Sequence, residues 1–350
     1  MSPSPDPDRW RNSTSPNGPR PPLADEFPVV DWQRAMKRAI RSQSELRRRL
    51  GLGADVAADA GEHFPTFVPL ELLARIKPGD PNDPILRQVL TTADESIDQP
   101  GFVADPVGDL QAEAGGGVLH KYAGRALIIT HGACAVHCRY CFRREFPYNE
   151  LGSRKQQWGP AIDYIRGDDS IHEVLLSGGD PLTLTDSALF TLLDQIESIP
   201  HVRRLRIHTR LPIAIPQRIT TELADRLSES RLAVWFVIHA NHANEIDDAV
   251  TESVGRLSRR GIPVLNQSVL LAGVNDDVDA LQSLSLSLID IAVQPYYLHQ
   301  LDQVRGAGHF QVDVARGIEL VNQLRQRLPG YAVPKYVVEN AGEKSKTPIA

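Results

Sequence analysis

The residues best suited to chemistry lie in one short stretch, Cys134-Ala135-Val136-His137-Cys138-Arg139-Tyr140-Cys141, which holds all three cysteines of the chain. Three thiolates at C-x3-C-x2-C spacing are one short of the four that usually hold an iron–sulfur cluster. On a tight loop they would leave one iron of a [4Fe–4S] cluster open to a small ligand, and reaction could start there. Two other readings use the same residues. A closed zinc site needs four ligands, and His137 would be the fourth, at the cost of a strained tetrahedron inside the loop. Cys138-Arg139-Tyr140-Cys141 is also a C-x-x-C redox pair, which leaves Cys134 idle.

Such a loop needs a frame. A β-branched apolar run at residues 127–130 predicts a strand that feeds the cysteines directly. Further apolar runs at 173–177, 205–209, 233–239, 263–268 and 291–296 recur about every 30 residues with helical patterns between them. The clearest helix carries Ile246, Val250, Val254 and Leu257 and ends at Gly261; another carries Val314, Ile318, Val321 and Leu328. Strands alternating with helices imply a parallel sheet with right-handed crossovers. Six such units predict an α/β fold, an incomplete (β/α)6 barrel open on one side, with a doubly wound sheet as the alternative. In both, ligands gather at the carboxyl ends of the strands.

Those ends are rich in polar residues. The second strand runs into Ser177-Gly178-Gly179-Asp180-Pro181, where two glycines let backbone approach a ligand and the acid accepts from an ammonium group; alone, the motif is also a plain turn. The third gives His208, Thr209 and Arg210, the fourth His239, Asn241 and His242, the fifth Asn266, Gln267 and Ser268. The sixth gives Gln294, Tyr296, Tyr297 and, further on, His299 and Asp302. Any one of these is more often a satisfied structural group than a ligand, but polar residues after every strand are hard to explain as core. Lys121 and Arg125 place two cations beside the first strand, where they are solvated or hold a phosphate. Near the C-terminus an extended segment, 331–339, precedes Lys346-Thr347-Pro348 and argues that this tail is tied down.

The chain has 350 residues, 41% hydrophobic and 23% charged, with a formal net charge of −6. That balance is ordinary for a globular protein and gives no reason to expect nucleic acid as a partner. No apolar run is long enough to span a bilayer, and the N-terminus lacks the signal-peptide pattern, so no membrane and a cytoplasmic location are expected. An odd cysteine count suits a reducing compartment rather than disulfides. Residues 1–28, rich in Pro, Ser, Asn and Asp, read as a disordered tail. Residues 29–110 read as a helical preface, with one basic amphipathic helix over 31–50, N-capped by Asp31, and short helices at 69–76 and 85–89. Residues 111–330 form the partial barrel and 331–350 the C-terminal segment.

Taken together, the motifs Cys134 to Arg144, Ser177 to Pro181, Thr209-Arg210-Leu211-Pro212, His239-Ala240-Asn241-His242, Asn266 to Leu271, Pro295-Tyr296-Tyr297 and Lys346-Thr347-Pro348 resemble the lysine 2,3-aminomutase family of radical S-adenosylmethionine (SAM) enzymes. The resemblance runs from about residue 69 to the end and is similar above all to the short branch that supplies β-lysine, of (R) configuration, for modification of elongation factor P. It implies an isomerase with three cofactors: a [4Fe–4S] cluster on Cys134, Cys138 and Cys141, SAM, and pyridoxal 5′-phosphate (PLP). It implies that Ser177, Gly178, Gly179 and Asp180 hold SAM beside the cluster and that His239 and Gln267 are also cofactor-binding. Lys346 carries PLP, and Lys121 and Arg125 hold its phosphate. Arg143 binds the carboxylate of L-lysine, and Asp302 and Glu339 bind its distal ammonium, Glu339 standing where longer relatives have Asp. The implied partners are a flavodoxin- or ferredoxin-type electron donor and a ligase that receives the product. Lacking the cysteine-rich tail of the longer enzymes, the chain is expected to bind no zinc. Rearrangement of another amino acid such as glutamate is the alternative activity, and an iron–sulfur carrier without turnover the alternative class.

Overall fold

In the computed structural model, residues 28–53, 64–148 and 158–350 are described. The expected disordered tail therefore lies, up to residue 27, outside the described residues. Among the described residues nine strands form one open sheet arranged in chain order: β1 Val118–Tyr122, β2 Arg125–His131, β3 Glu173–Gly178, β4 Arg204–Thr209, β5 Ala233–Ile238, β6 Val264–Val269, β7 Val293–His299, β8 Lys335–Val338 and β9 Thr347–Pro348. Strands β2 to β8 run parallel, while β1 and β9 are antiparallel edges. A doubly wound sheet reverses strand order at a switch point; this order never reverses, so the sheet curls as an incomplete barrel.

All six expected parallel strands are present, as β2 to β7. A short antiparallel strand, β1, precedes them, and the tail adds β8 and β9. Burial along the strands follows the two-residue period of a pleated chain. Ala126, Ile128, Val174, Leu176, Leu205, Ile207, Val234 and Phe236 face the helices and form the main core. The alternate residues Arg125, Leu127, Leu175, Ser177, Arg206, His208, Trp235, Val237 and Gln267 face the barrel interior and line a cavity of about 660 Å³. One pleat thus sends apolar side chains outward to the helices and a mixed polar set inward.

The crossover helices are set by their caps. Thr185, Asp247, Asp277 and Asp313 each accept a backbone N–H from the first turn of Asp186–Glu197, Asp248–Ser258, Val278–Asp290 and Val314–Arg327 respectively, each a contribution of about 0.5–2 kcal/mol. The expected single helix over 31–50 is two, Trp32–Lys37 and Gln43–Arg49. Between them Ile40 leaves the helical path to pair with Val68 and is 1% exposed, and Ser42 caps the second helix. Tertiary burial of one isoleucine overrides the local periodicity. The other α-helices described in this region, Leu70–Leu73 and Pro84–Arg87, are single turns, and their apolar residues join the same core as the barrel.

Candidate active site at the carboxyl ends of the strands

The cysteine loop leaves β2 and is clamped from outside by the N-terminal region. Arg139, fully buried, bonds Glu95 through Nε at 2.7 Å and Nη2 at 2.5 Å and donates to Phe64 O at 2.9 Å. Arg144 reaches the same Glu95 at 2.6 Å. The loop backbone is tied too, Arg139 N to Gln88 O at 2.9 Å and His137 N to Phe67 O at 3.0 Å. His137 does not face the thiols: its Nδ1 lies 2.8 Å from Pro65 O and its ring stacks on Phe64 at 5.1 Å. The zinc reading therefore loses its fourth ligand.

Cys134, Cys138 and Cys141 are free thiols on one wall of the cavity. Among the described residues no three His, Cys, Asp or Glu side chains converge to hold a single metal ion. A four-iron cluster gives each thiolate an iron of its own, so it needs three thiols around one hollow rather than at one point. The donor set fits that group. Burial, and then the neighbouring Cys138, push the Cys141 thiol up to about 11, and a bound cation is what takes such a proton away. Behind Cys138 stands Arg210, whose Nη1 contacts Cys138 Sγ at 2.7 Å and Tyr140 Oη at 2.8 Å while Nη2 holds Gln88 and Glu245. Tyr140 Oη is shared with His239 Nε2 at 2.7 Å and Asn241 Nδ2 at 2.7 Å. Burial, then Arg210, hold His239 down to about 3, so its ring is neutral.

The glycines at the end of β3 also fit closely against a neighbour within the protein. Gly178 has φ +115°, and a Cβ there would stand 2.8 Å from His131 O; at Gly179 it would stand 2.2 Å from Ala133 O. They let β3 press against the backbone that leads into the cysteines, with Gly179 N and Asp180 N donating to His131 O and Ala133 O at 2.8 and 2.7 Å. The Asp180 carboxylate is likewise engaged inside the protein, accepting from Thr209 Oγ1, Arg210 N and Leu182 N at 2.7 to 3.0 Å. Its contribution is to lock the ends of β3 and β4 together, where the motif had suggested an acceptor for a ligand's ammonium. Gly179→Ala is expected to cost about 1–3 kcal/mol, the range for overpacking, read as a lower denaturant midpoint, and to lower iron content because the displaced backbone carries Cys134.

From the cysteine loop, through Arg143, a charged network continues that sequence reasoning missed at its centre. Asp109, with a side chain only 2% exposed, pairs with Arg143 Nε at 2.6 Å and Lys121 Nζ at 2.5 Å. Burial raises its carboxyl, but Arg143 and then Lys121 more than offset that. Nothing around position 109 distinguishes it from a loop aspartate, so no local signal could have found it. Arg143 also donates from Nη1 to Ser177 Oγ at 3.2 Å, and its Nη2 bonds nothing among the described residues, which leaves that edge for a carboxylate. Lys121 spends its remaining donors on Glu339 Oε1 at 3.0 Å and Val107 O at 2.8 Å. Arg125 makes no ion pair among the described residues and lies over the Tyr122 ring at 4.6 Å.

Lys346 comes into the cavity because β9 pairs with β8, Val338 beside Thr347, so the tail is tied down as its sequence implied. Its Nζ meets the second oxygen of Glu339. Burial pushes Glu339 up, yet Lys346 and Lys121 together draw it down to about 2. Asp302 lines the same wall, and its carboxylate makes no hydrogen bond among the described residues, so it caps no loop. Burial raises it to about 7 against the pull of Lys346. Gln267 lines the cavity between β5 and β7.

A partial barrel with three cysteines after its first parallel strand and an open cavity at the strand ends defines a radical SAM enzyme, and a radical SAM superfamily model matches residues 128–284. The L-lysine 2,3-aminomutase of Escherichia coli (strain K12) is 45% identical over 323 residues, 91% of this chain and 94% of that protein. That of Haemophilus influenzae is 43% identical over 91% and 95%, and that of Clostridium subterminale 36% identical over 91% and 77%. The chain belongs to the L-lysine 2,3-aminomutase family.

Proposed function

We propose that this chain is an isomerase that moves the amino group of L-lysine from carbon 2 to carbon 3. The observation that carries this is one cavity lined by three thiols together with Lys346, Arg143 with a free edge, and two acids. Bound there, a [4Fe–4S] cluster, SAM and PLP supply the radical and electron-sink chemistry. The chain's own residues do the rest. Cys134, Cys138 and Cys141 hold the cluster, and Gly178, Gly179, His239 and Gln267 border the space for SAM. Arg125 is the cation left free for a phosphate; Lys121, with its donors engaged, would have to release an acid to join it. Arg143 Nη2 takes the substrate carboxylate, and Asp302 with Glu339 takes the distal ammonium. A carboxylate in that place would be repelled, which disfavours glutamate.

Within this reading the product is (R)-β-lysine passed to a ligase that modifies elongation factor P, the electron comes from a flavodoxin or ferredoxin, and the chain works in the cytoplasm. Among the described residues no helix is long and apolar enough to cross a membrane. A non-catalytic iron–sulfur protein would leave Lys346, Arg143 and the acid pair without a task.

Asp302→Asn tests the substrate. Removing one partner of a shielded charge pair costs about 2–5 kcal/mol, a loss of roughly 30- to several-thousand-fold in apparent affinity. The variant should keep cluster and PLP and lose lysine selectively; turnover near wild type would remove the case for lysine. The pH dependence has a definite sign. With its carboxyl raised to about 7, Asp302 is an anion above that pH and neutral below it. The KM for lysine is therefore expected to climb as pH falls below 7 in wild type, and that limb should vanish in Asp302→Asn.

A further inference from the structure

His208 on β4 and His299 at the end of β7 both line the cavity. Neither ring takes part in a hydrogen bond among the described residues, and the Nε2 of each is enclosed without a partner. His239, the third histidine lining the cavity, is bonded to Tyr140; His309 is also unpaired but does not line the cavity, so among the cavity's histidines the lack is particular to these two. Buried polar groups are nearly always paired, and two unpaired rings bordering one ligand cavity point to a ligand atom as their partner.

The chemistry of that atom is constrained. Burial, followed by Arg206 and Lys346, keeps His208 well below its ordinary value, and burial followed by Lys346 does the same to His299. Both rings are neutral, each offering one N–H donor and one acceptor. The strongly anionic ends of the ligands already have Arg143 and Arg125. Both rings line the same cavity as Lys346 and feel its charge, so they border the space that a group bonded to its nitrogen would occupy. In PLP the ring carbon bearing the aldehyde that joins a lysine lies next to one carrying a phenolic oxygen, an oxygen suited to a neutral N–H donor.

We propose that His208 and His299 hold the phenolic oxygen of PLP and so fix the rotation of its ring beside Lys346. The inference rests on the reading of Lys346 as the PLP lysine. A ring held by its phosphate and by Lys346 alone can still swing about its long axis; the two imidazoles remove that freedom.

The test uses the full chain with its cluster reconstituted, titrated with PLP and followed by difference spectra that subtract the cluster band. Wild type should develop a lysine-linked band. His208→Phe and His299→Phe should bind PLP at least tenfold more weakly and shift the band, with the cluster band unchanged. His299→Gln, which keeps an N–H donor, should recover most of the loss. Phenylalanine variants with wild-type affinity and spectrum would overturn the proposal, and so would a loss that glutamine does not recover, which marks packing alone. If a phenylalanine variant fails to fold, His208→Leu and His299→Leu make the same comparison. A wild-type chain with no lysine-linked band would overturn the PLP reading itself, a failure distinct from that of the histidine pair.

Discussion

Replacing any one of Cys134, Cys138 or Cys141 by alanine is expected to abolish turnover, with loss of the whole rate enhancement, at least about 10⁶-fold for an enzyme. The three thiols are the only cysteines in the chain, so no other thiol can take over a missing position. Each variant should also lose the visible absorbance of the cluster while keeping its far-ultraviolet circular dichroism, because the loop is fixed by Glu95, Gln88 and Pro65 rather than by the thiols. A variant that keeps about four irons per chain and turns over would show that the cluster is held elsewhere; the measurement is iron content beside activity.

The second large effect is expected at Lys346. Lys346→Ala should lose covalent attachment of PLP and fall in turnover by about 10²–10⁴-fold, the range for one positioned group that moves protons. Borohydride reduction of wild type followed by peptide mapping should place the pyridoxyl group on Lys346. Lys335 and Lys344, the neighbouring candidates, are exposed, whereas Lys346 borders the cavity and touches Glu339. Recovery of the label on either neighbour would move the site out of the barrel.

The parallel strands were legible because each is an apolar run bounded by turns, and the cysteines because spacing alone limits what three thiols can do. β1 and β9 were not, being short edges whose pairing depends on a distant partner. The break at Ile40 was hidden for a related reason, since the pattern over 31–50 is helical and only the contact with Val68 interrupts it. In the site, residue types at strand ends pointed to the end of the barrel where the cavity lies, but their partners could not be read. Gly179 fits against Ala133 O, Asp180 serves Thr209 and Arg210, and Asp109 and Glu245 are buried acids that pair with arginines far away in sequence.

The outside clamp on the cysteine loop bears on how the enzyme survives damage. Small metal domains unfold when stripped, because the metal supplies their folding energy. Here Arg139, Arg144 and Glu95 grip the loop from its protein side, independently of any iron. A cluster destroyed by oxygen should therefore leave behind a folded chain with its thiols still grouped at the barrel mouth. Repair then becomes a matter of delivering iron and sulfide to a standing receptacle, with no round of refolding between inactivation and recovery.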